Sequence, residues 1–154
     1  VFKIRATLVM LILLLLIAAG YLYSLSQGEK FSCTAYYVQH SQDAKMDLFL
    51  SYSFGKRRGL LCINGKMHLA DGETKNISRR VLFNYKRENQ YYMLTSESSI
   101  RTSSDTVDNP TIKKNLSDFY VESGKSMFMR IVYQRSGQYF FYNDPVIAYS
   151  CKKN

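Results

Sequence analysis

The sequence predicts a mainly β, α+β domain, an antiparallel sheet with one short helix, carried behind a single N-terminal transmembrane helix. Three observations predict it. An unbroken apolar run lies near the start of the chain; short segments of alternating apolar residues recur after it; and aromatics reach 14%, with 13 Tyr, 9 Phe and no Trp. Aromatic and β-branched side chains suit a pleated, half-buried surface. Of the 154 residues, those beyond the apolar run are enough for one hydrophobic core and too few for two.

The run from Ala6 to Tyr23 reads ATLVMLILLLLIAAGYLY and holds no charge. As a helix it spans about 27 Å, close to the ~30 Å hydrocarbon core of a bilayer. Lys3 and Arg5 precede it, while the segment after it carries one acid and one base, so the positive-inside bias puts the N-terminus in the cytoplasm. The organisation that follows is residues 1–5 cytoplasmic, 6–23 membrane-spanning, 24–30 a polar linker and 31–154 an exported β-rich domain. Tyr21 and Tyr23 fall where an interfacial aromatic belt is expected. Ala18, Ala19 and Gly20 support a competing reading, a cleavable secretory signal. The apolar stretch continues past them through Leu22 and Tyr23, which favours a retained signal anchor. Both readings export the domain.

Strand signals begin at once. Residues 31–40, FSCTAYYVQH, are rich in β formers, and 46–54 alternate Met46, Leu48, Leu50, Tyr52 and Phe54 on one face. GKRRG at 55–59 reads as a hairpin loop, LLCINGKMHLA as the return strand, and Gly65 as a bulge within it. Asp71-Gly72 marks a turn. The next strand, 73–86, sets Ile77, Arg79, Val81, Phe83 and Tyr85 on one side; Arg87 to Asn89 turn the chain into QYYMLTSESSI. Residues 101–110 break the pattern with polar and turn-forming residues. Asp108 or Asn109 then caps a short helix with Pro110 at its start, and Ile112, Leu116 and Phe119 share an apolar stripe that packs on the sheet. Met127, Met129, Ile131 and Tyr133 alternate in the next strand, Ser136-Gly137 turn, QYFFY returns, and Pro145 precedes the last strand, VIAYSC. The result is a meander of about seven or eight strands.

Charge and cysteines bound the function. The net charge of +9 comes from short, separated patches: Lys56-Arg57-Arg58, Arg79-Arg80, Lys86-Arg87, Lys113-Lys114 and Lys152-Lys153. A nucleic-acid binder concentrates such patches on one face, so the reading is a solvated basic surface beside anionic lipid headgroups, with no nucleic-acid partner. Three cysteines in an exported domain allow one disulfide. Cys33 opens the first strand and Cys151 closes the last, so a bond between them clasps the domain's ends; Cys33 with Cys62, or no bond, remain open alternatives. Cys62 reads as a small buried hydrophobe. No CxxC is present, and His40 and His68 lie at no metal-ligand spacing from a cysteine, so no metal site is expected. Nor does any nucleophile, base and orienter form a recognisable motif, and no phosphate loop or EF-hand pattern occurs. Asp105, Asp108 and Asp118 gather near the helix start, where capping accounts for some of them. The chain is read as a non-enzyme without catalytic residues or a cofactor.

The layout as a whole resembles a known family. A basic start, one anchor, FSC soon afterwards, INGKM, RRVLFNYKRENQYYMLTS, LSDFY, the MRIVYQRSGQYFFY hairpin and a terminal YSC are similar to the FidL-like membrane proteins of enterobacteria. Cys33 and Cys151 fit that family's end cysteines, whereas Cys62 has no place in its pattern. The resemblance implies a single-pass inner-membrane protein with its C-terminal domain in the periplasm. It also implies an accessory role, in the manner of ToxS, VtrC and PsaF/MyfF, beside a ToxR-like winged-helix regulator whose periplasmic domain it pairs with and stabilises or modulates. Some such pairs form a lipocalin-like barrel, so a partly open barrel is one expected form of the sheet. The alternative function is a periplasmic binder of bile salts or other amphipathic molecules acting alone; the many Tyr, Phe and Met residues suit an apolar pocket.

Overall fold

The computed structural model describes residues 2–26 and 30–154, and side chains at 9–23 and from Lys30 onward. Helix α1 (Phe2–Ser26) is followed by eight strands: β1 (Phe31–His40), β2 (Ala44–Phe54), β3 (Arg58–Leu69), β4 (Thr74–Glu88), β5 (Tyr91–Arg101), β6 (Ser126–Gln134), β7 (Gln138–Asn143) and β8 (Val146–Lys153). A short helix α2 (Asn109–Lys113) and a 3₁₀ turn (Asp118–Tyr120) lie between β5 and β6. Each strand pairs antiparallel with its sequence neighbours, and β1 pairs with β8, so the sheet closes into an up-and-down barrel. The closing ladder is short, Cys33 with Lys153 and Thr34 with Lys152.

The chain folds this way because alternation puts one apolar face inside every strand. Met46, Leu48, Leu50, Tyr52 and Phe54 are all buried, as are Ile77, Arg79, Val81, Phe83 and Tyr85. The turns match their chemistry. Gly72 and Gly137 take positive φ, as does Asn89 in the two-residue turn between β4 and β5, the conformation these hairpins require.

An up-and-down barrel gathers alternate turns at the same end. The proximal end, where β1 starts, carries the β2–β3, β4–β5 and β6–β7 turns and the end of β8; the distal end carries the others and the segment 102–125. The proximal interior is filled by rings: Phe31 stacks on Phe54 at 4.4 Å and on Tyr139 at 4.2 Å, and Phe54 meets Phe83, Tyr85 and Tyr92 edge-on. Below them Met46, Leu48, Leu61, Ile63 and Met67 continue the core, closed distally by Val107, Ile112 and Phe119.

Several expectations are corrected. The one short helix is present as α2 but ends at Lys113, short of Phe119; a 3₁₀ turn carries the rest of the stripe, because Asn115 and Ser117 bond nearby backbone groups, Thr111 O and Phe119 N. Its apolar stripe nevertheless packs inward, with Ile112 and Phe119 fully buried and Leu116 partly so. The cap is Asp108, whose carboxylate accepts from Thr111 N at 2.7 Å. Gly65 is no bulge: the registers with β2 and β4 run through it unbroken. A side chain there would overlap the Asp47 carbonyl, so glycine serves the close approach of two strands. The irregularities fall instead at Leu82/Phe83 and Phe141/Tyr142. Cys62 is half-buried on the outer face, since Leu61 and Ile63 on either side take the inner positions.

Helix α1 runs 25 residues, and the side chains from Val9 to Tyr23 are exposed. Among the described residues no helix is long and apolar enough to cross a membrane. The stretch whose side chains are described covers only 9–23, about 22 Å of helix. The expected span 6–23 begins before it, and the side chains of residues 1–8 and most of the expected linker lie outside the described residues.

Candidate functional site

The barrel interior is not filled to its distal end. A cavity of about 570 Å³ lies under β6, β7 and β8 and reaches β1 and the segment after α2. Its apolar walls come from Leu48, Leu50, Ile63, Met127, Met129 and Phe141; its polar groups are the hydroxyls of Tyr37, Tyr120 and Tyr149, with Gln39, Asn115, Ser117, Ser126 and Asn143. Among these described lining residues none carries a charge. The cavity thus offers apolar surface and neutral hydrogen-bonding groups, the profile of a pocket for a molecule with an apolar body and a few polar substituents.

At its inner wall the Tyr52 hydroxyl, fully buried, meets that of Tyr149 at 2.7 Å, and Tyr120 interacts with both. Burial pushes Tyr52 well above the usual tyrosine range, and the neighbouring hydroxyls of Tyr120 and Tyr149 add to it. Burial does the same to Tyr149, with Tyr120 contributing, and raises Tyr120 and Tyr37 as well. These tyrosines therefore stay protonated and act as donors as well as acceptors. Gln39 is held in place by donating to Asn115 O at 2.6 Å, and Tyr37 donates to Gln39 Oε1 at 3.0 Å.

The cavity reaches the seam where barrel closure stops. Beyond the two closing pairs, β1 from Ala35 to His40 and β8 from Val146 to Ser150 have no ladder with each other. Tyr37 and Gln39 of β1 face Ala148 and Tyr149 of β8 there, all four lining the cavity. On the outer surface beside the seam, Tyr36, Val38, Phe49, Val146 and Ile147 are exposed. Cys33 and Cys151 form a disulfide with Cα atoms 5.4 Å apart, beside the two closing pairs.

The distal floor is fixed by a buried ion pair. Arg79, 1% exposed, donates from Nε to Asp105 Oδ2 at 2.9 Å, and to Val107 O and Asn109 Oδ1 at 2.8 Å each. Asp105 also accepts from Ser78 N, Val107 N and Arg101 Nε. This ties the segment after β5 onto β4 and seats Ile112 and Phe119 in the barrel's end.

Of the residues singled out from sequence, the structure joins Cys33 to Cys151 and gives Asp105 and Asp108 separate anchoring and capping roles. Asp118 pairs with Lys113 at the surface. His40 is exposed, and His68 lies on the outer face within reach of Asp47 and Thr74. Among the described residues no three His, Cys, Asp or Glu side chains come together as a metal cluster would require. Sequence reading did not single out Tyr37, Tyr120 and Tyr149; they come from three separate segments, and only Tyr52 showed its inward side through alternation.

These features define a class: a disulfide-clasped, eight-stranded up-and-down barrel with an uncharged, partly polar cavity at one end. The chain belongs to the YqeJ C-terminal domain family, whose family model matches residues 30–150. No curated protein matches it.

Proposed function

We propose that this protein is an inner-membrane-anchored periplasmic accessory that pairs with a ToxR-like membrane-bound regulator and stabilises or modulates it. The relation to FidL-like and ToxS-type accessories belongs to this proposal. The observation that carries it is the seam: the β1–β8 ladder stops after two pairs, leaving two strand edges beside exposed apolar residues. Unpaired edges are templates for an added strand, with backbone hydrogen bonds supplying affinity and alternate side chains specificity. The anchor is supported by the uncharged run within α1, and export by the disulfide, which persists in oxidising compartments. To test the pairing, the full chain is co-expressed with a neighbouring winged-helix membrane regulator and the regulator's turnover is followed. Loss of this protein should shorten the regulator's lifetime, and unchanged turnover in a deletion strain overturns the proposal.

A second reading, a stand-alone binder of bile salts or other amphipathic molecules, is favoured by one observation: the cavity combines apolar walls with neutral hydroxyl and amide groups. Saturation at about a hundred times Kd should stabilise the barrel by ~2.7 kcal/mol. A panel of bile salts and fatty acids that leaves the melting temperature of the purified full chain unmoved excludes it.

A further inference from the structure

Positive charge, scattered in the sequence, converges at one end of the barrel. The β2–β3 turn presents Lys56, Arg57 and Arg58, and the end of β4 presents Lys86 and Arg87, all exposed. The up-and-down topology brings Arg135 and the C-terminal Lys152 and Lys153 to the same rim. Acids are nearly absent there: among the described residues, Glu88 lies on this rim, and Glu97 pairs with Arg58 at 3.2 Å. The distal end has no such excess: Asp43, Asp71, Glu73, Asp118, Glu122 and Asp144 there are offset by Lys45, Lys75, Arg101, Lys113, Lys114 and Lys125, several of them in ion pairs. The barrel's excess of positive charge therefore sits at its proximal end.

The basic rim is also the end at which α1 joins. Helix α1 stops at Ser26 and β1 begins at Phe31, so the rim lies within about 17 Å of the helix end even with the joining residues fully extended. Lys56 Nζ sits over the ring of Tyr23, 5.9 Å from its centroid, and Tyr23 is, with Tyr21, one of the two residues expected from sequence position at the membrane–water interface. Two independent observations, the charge distribution and this contact, thus point the same rim at a bilayer surface.

We infer that the proximal rim is a docking surface for anionic phospholipid headgroups, which holds the barrel upright on the membrane with its cavity and open seam directed away from the lipid. The inference rests on the membrane-anchor reading above and adds to it a lipid class and an orientation. A basic cluster next to an anionic surface is attracted by about fivefold in population per Lys or Arg, within roughly a Debye length. A rim tethered this close meets that condition. The exposed rings of Tyr91 and Tyr133 at the same end add the amphipathic side chains that favour a headgroup layer.

The test reconstitutes the full chain in nanodiscs of phosphatidylcholine alone or with phosphatidylglycerol, and reads hydrogen exchange turn by turn. Exchange at the β2–β3 and β4–β5 turns should slow several-fold in the anionic discs, and this protection should vanish in about 1 M salt, where the Debye length is ~3 Å. The distal turns at 41–43 and 70–73 should not respond. A variant carrying Lys56→Glu, Arg57→Glu and Lys86→Glu should lose the protection, an expected drop of at least about a hundredfold in the surface-bound population from the three lost attractions. All three side chains are exposed, and an unchanged melting temperature will show the barrel intact. If the chain resists alkaline extraction from both disc types but rim exchange ignores lipid charge, the docking inference fails and the anchor stands. If alkali extracts the chain, the anchor reading fails and the docking inference with it. Equal protection by an added polyanion such as nucleic acid in phosphatidylcholine discs also overturns the assignment to phospholipid.

Discussion

Removing the carboxylate of Asp105 while leaving Arg79 in place should cost more stability than any single change at the protein's surface. The guanidinium is 1% exposed and donates to Asp105 at 2.9 and 3.5 Å. In Asp105→Ala it is left as a buried charge with only the neutral acceptors of Val107 and Asn109. Breaking a buried pair from one side costs about 3–5 kcal/mol, and the orphaned N–H groups of Ser78 and Val107 each add roughly 1 kcal/mol. Against a total of about 5–15 kcal/mol for a domain, that is a large fraction. Pairing the change with Arg79→Met removes the stranded charge, and the double variant should recover at least about 2 kcal/mol relative to Asp105→Ala alone. Urea unfolding of the full chain in detergent, followed by tyrosine near-ultraviolet circular dichroism, measures both. A single-variant loss below ~1 kcal/mol, or a double variant as unstable as the sum of its parts, would refute the role of this pair as the anchor of the distal floor.

Three further outcomes are expected. Replacing Cys33 and Cys151 by serine should lower stability by about 5 kcal/mol, the chain-entropy value for a separation of 118 residues; urea midpoints of the two proteins check it. Because folded Tyr52 and Tyr149 hold their protons above the usual range, their contribution is complete below about pH 10, where unfolded tyrosine titrates, and declines as pH rises further, by ~1.4 kcal/mol per pH unit for each. Tyr52→Phe should make the alkaline limb of a stability–pH curve shallower, and an unchanged slope contradicts the assignment. Enlarging the cavity wall with Met129→Trp should weaken binding of any amphipath that stabilises the parent by at least about tenfold, or ~1.4 kcal/mol, at a folding cost of about 1–3 kcal/mol; unchanged affinity in a thermal-shift titration places the ligand elsewhere.

Strand positions were legible because the period of two is a strong signal wherever one face is buried and the other wet. The inward sets on β2 and β4 were readable residue by residue, but Arg79, read as part of a solvated Arg79-Arg80 patch, is buried at 1% exposure, because its parity on β4 puts it on the apolar side. Its partner could not be found by pattern, since Asp105 sits in an irregular loop and reaches Arg79 only through the return of the chain beneath the barrel. Cys62 misled because the apolar composition of LLCING outweighed its parity, which places it opposite Leu61 and Ile63. Ile112, Leu116 and Phe119 matched one helix, yet two short turns present the same stripe. The cavity and the basic rim were invisible for one reason: both depend on which turns share an end, a property of topology that no local window contains.

Among the described residues two ladder pairs close the barrel, and the disulfide lies beside them, so a covalent link stands where the ladder is shortest. A circular wall pinned at one height and unlaced below it behaves like a sleeve with a slit cuff. Widening the slit requires no loss of ladder bonds, because none bridge it, while the aromatic plug above keeps its shape. What such widening would break is side-chain contact alone, the Tyr37–Tyr149 ring pair and the Tyr52–Tyr149 hydrogen bond, rather than backbone ladder.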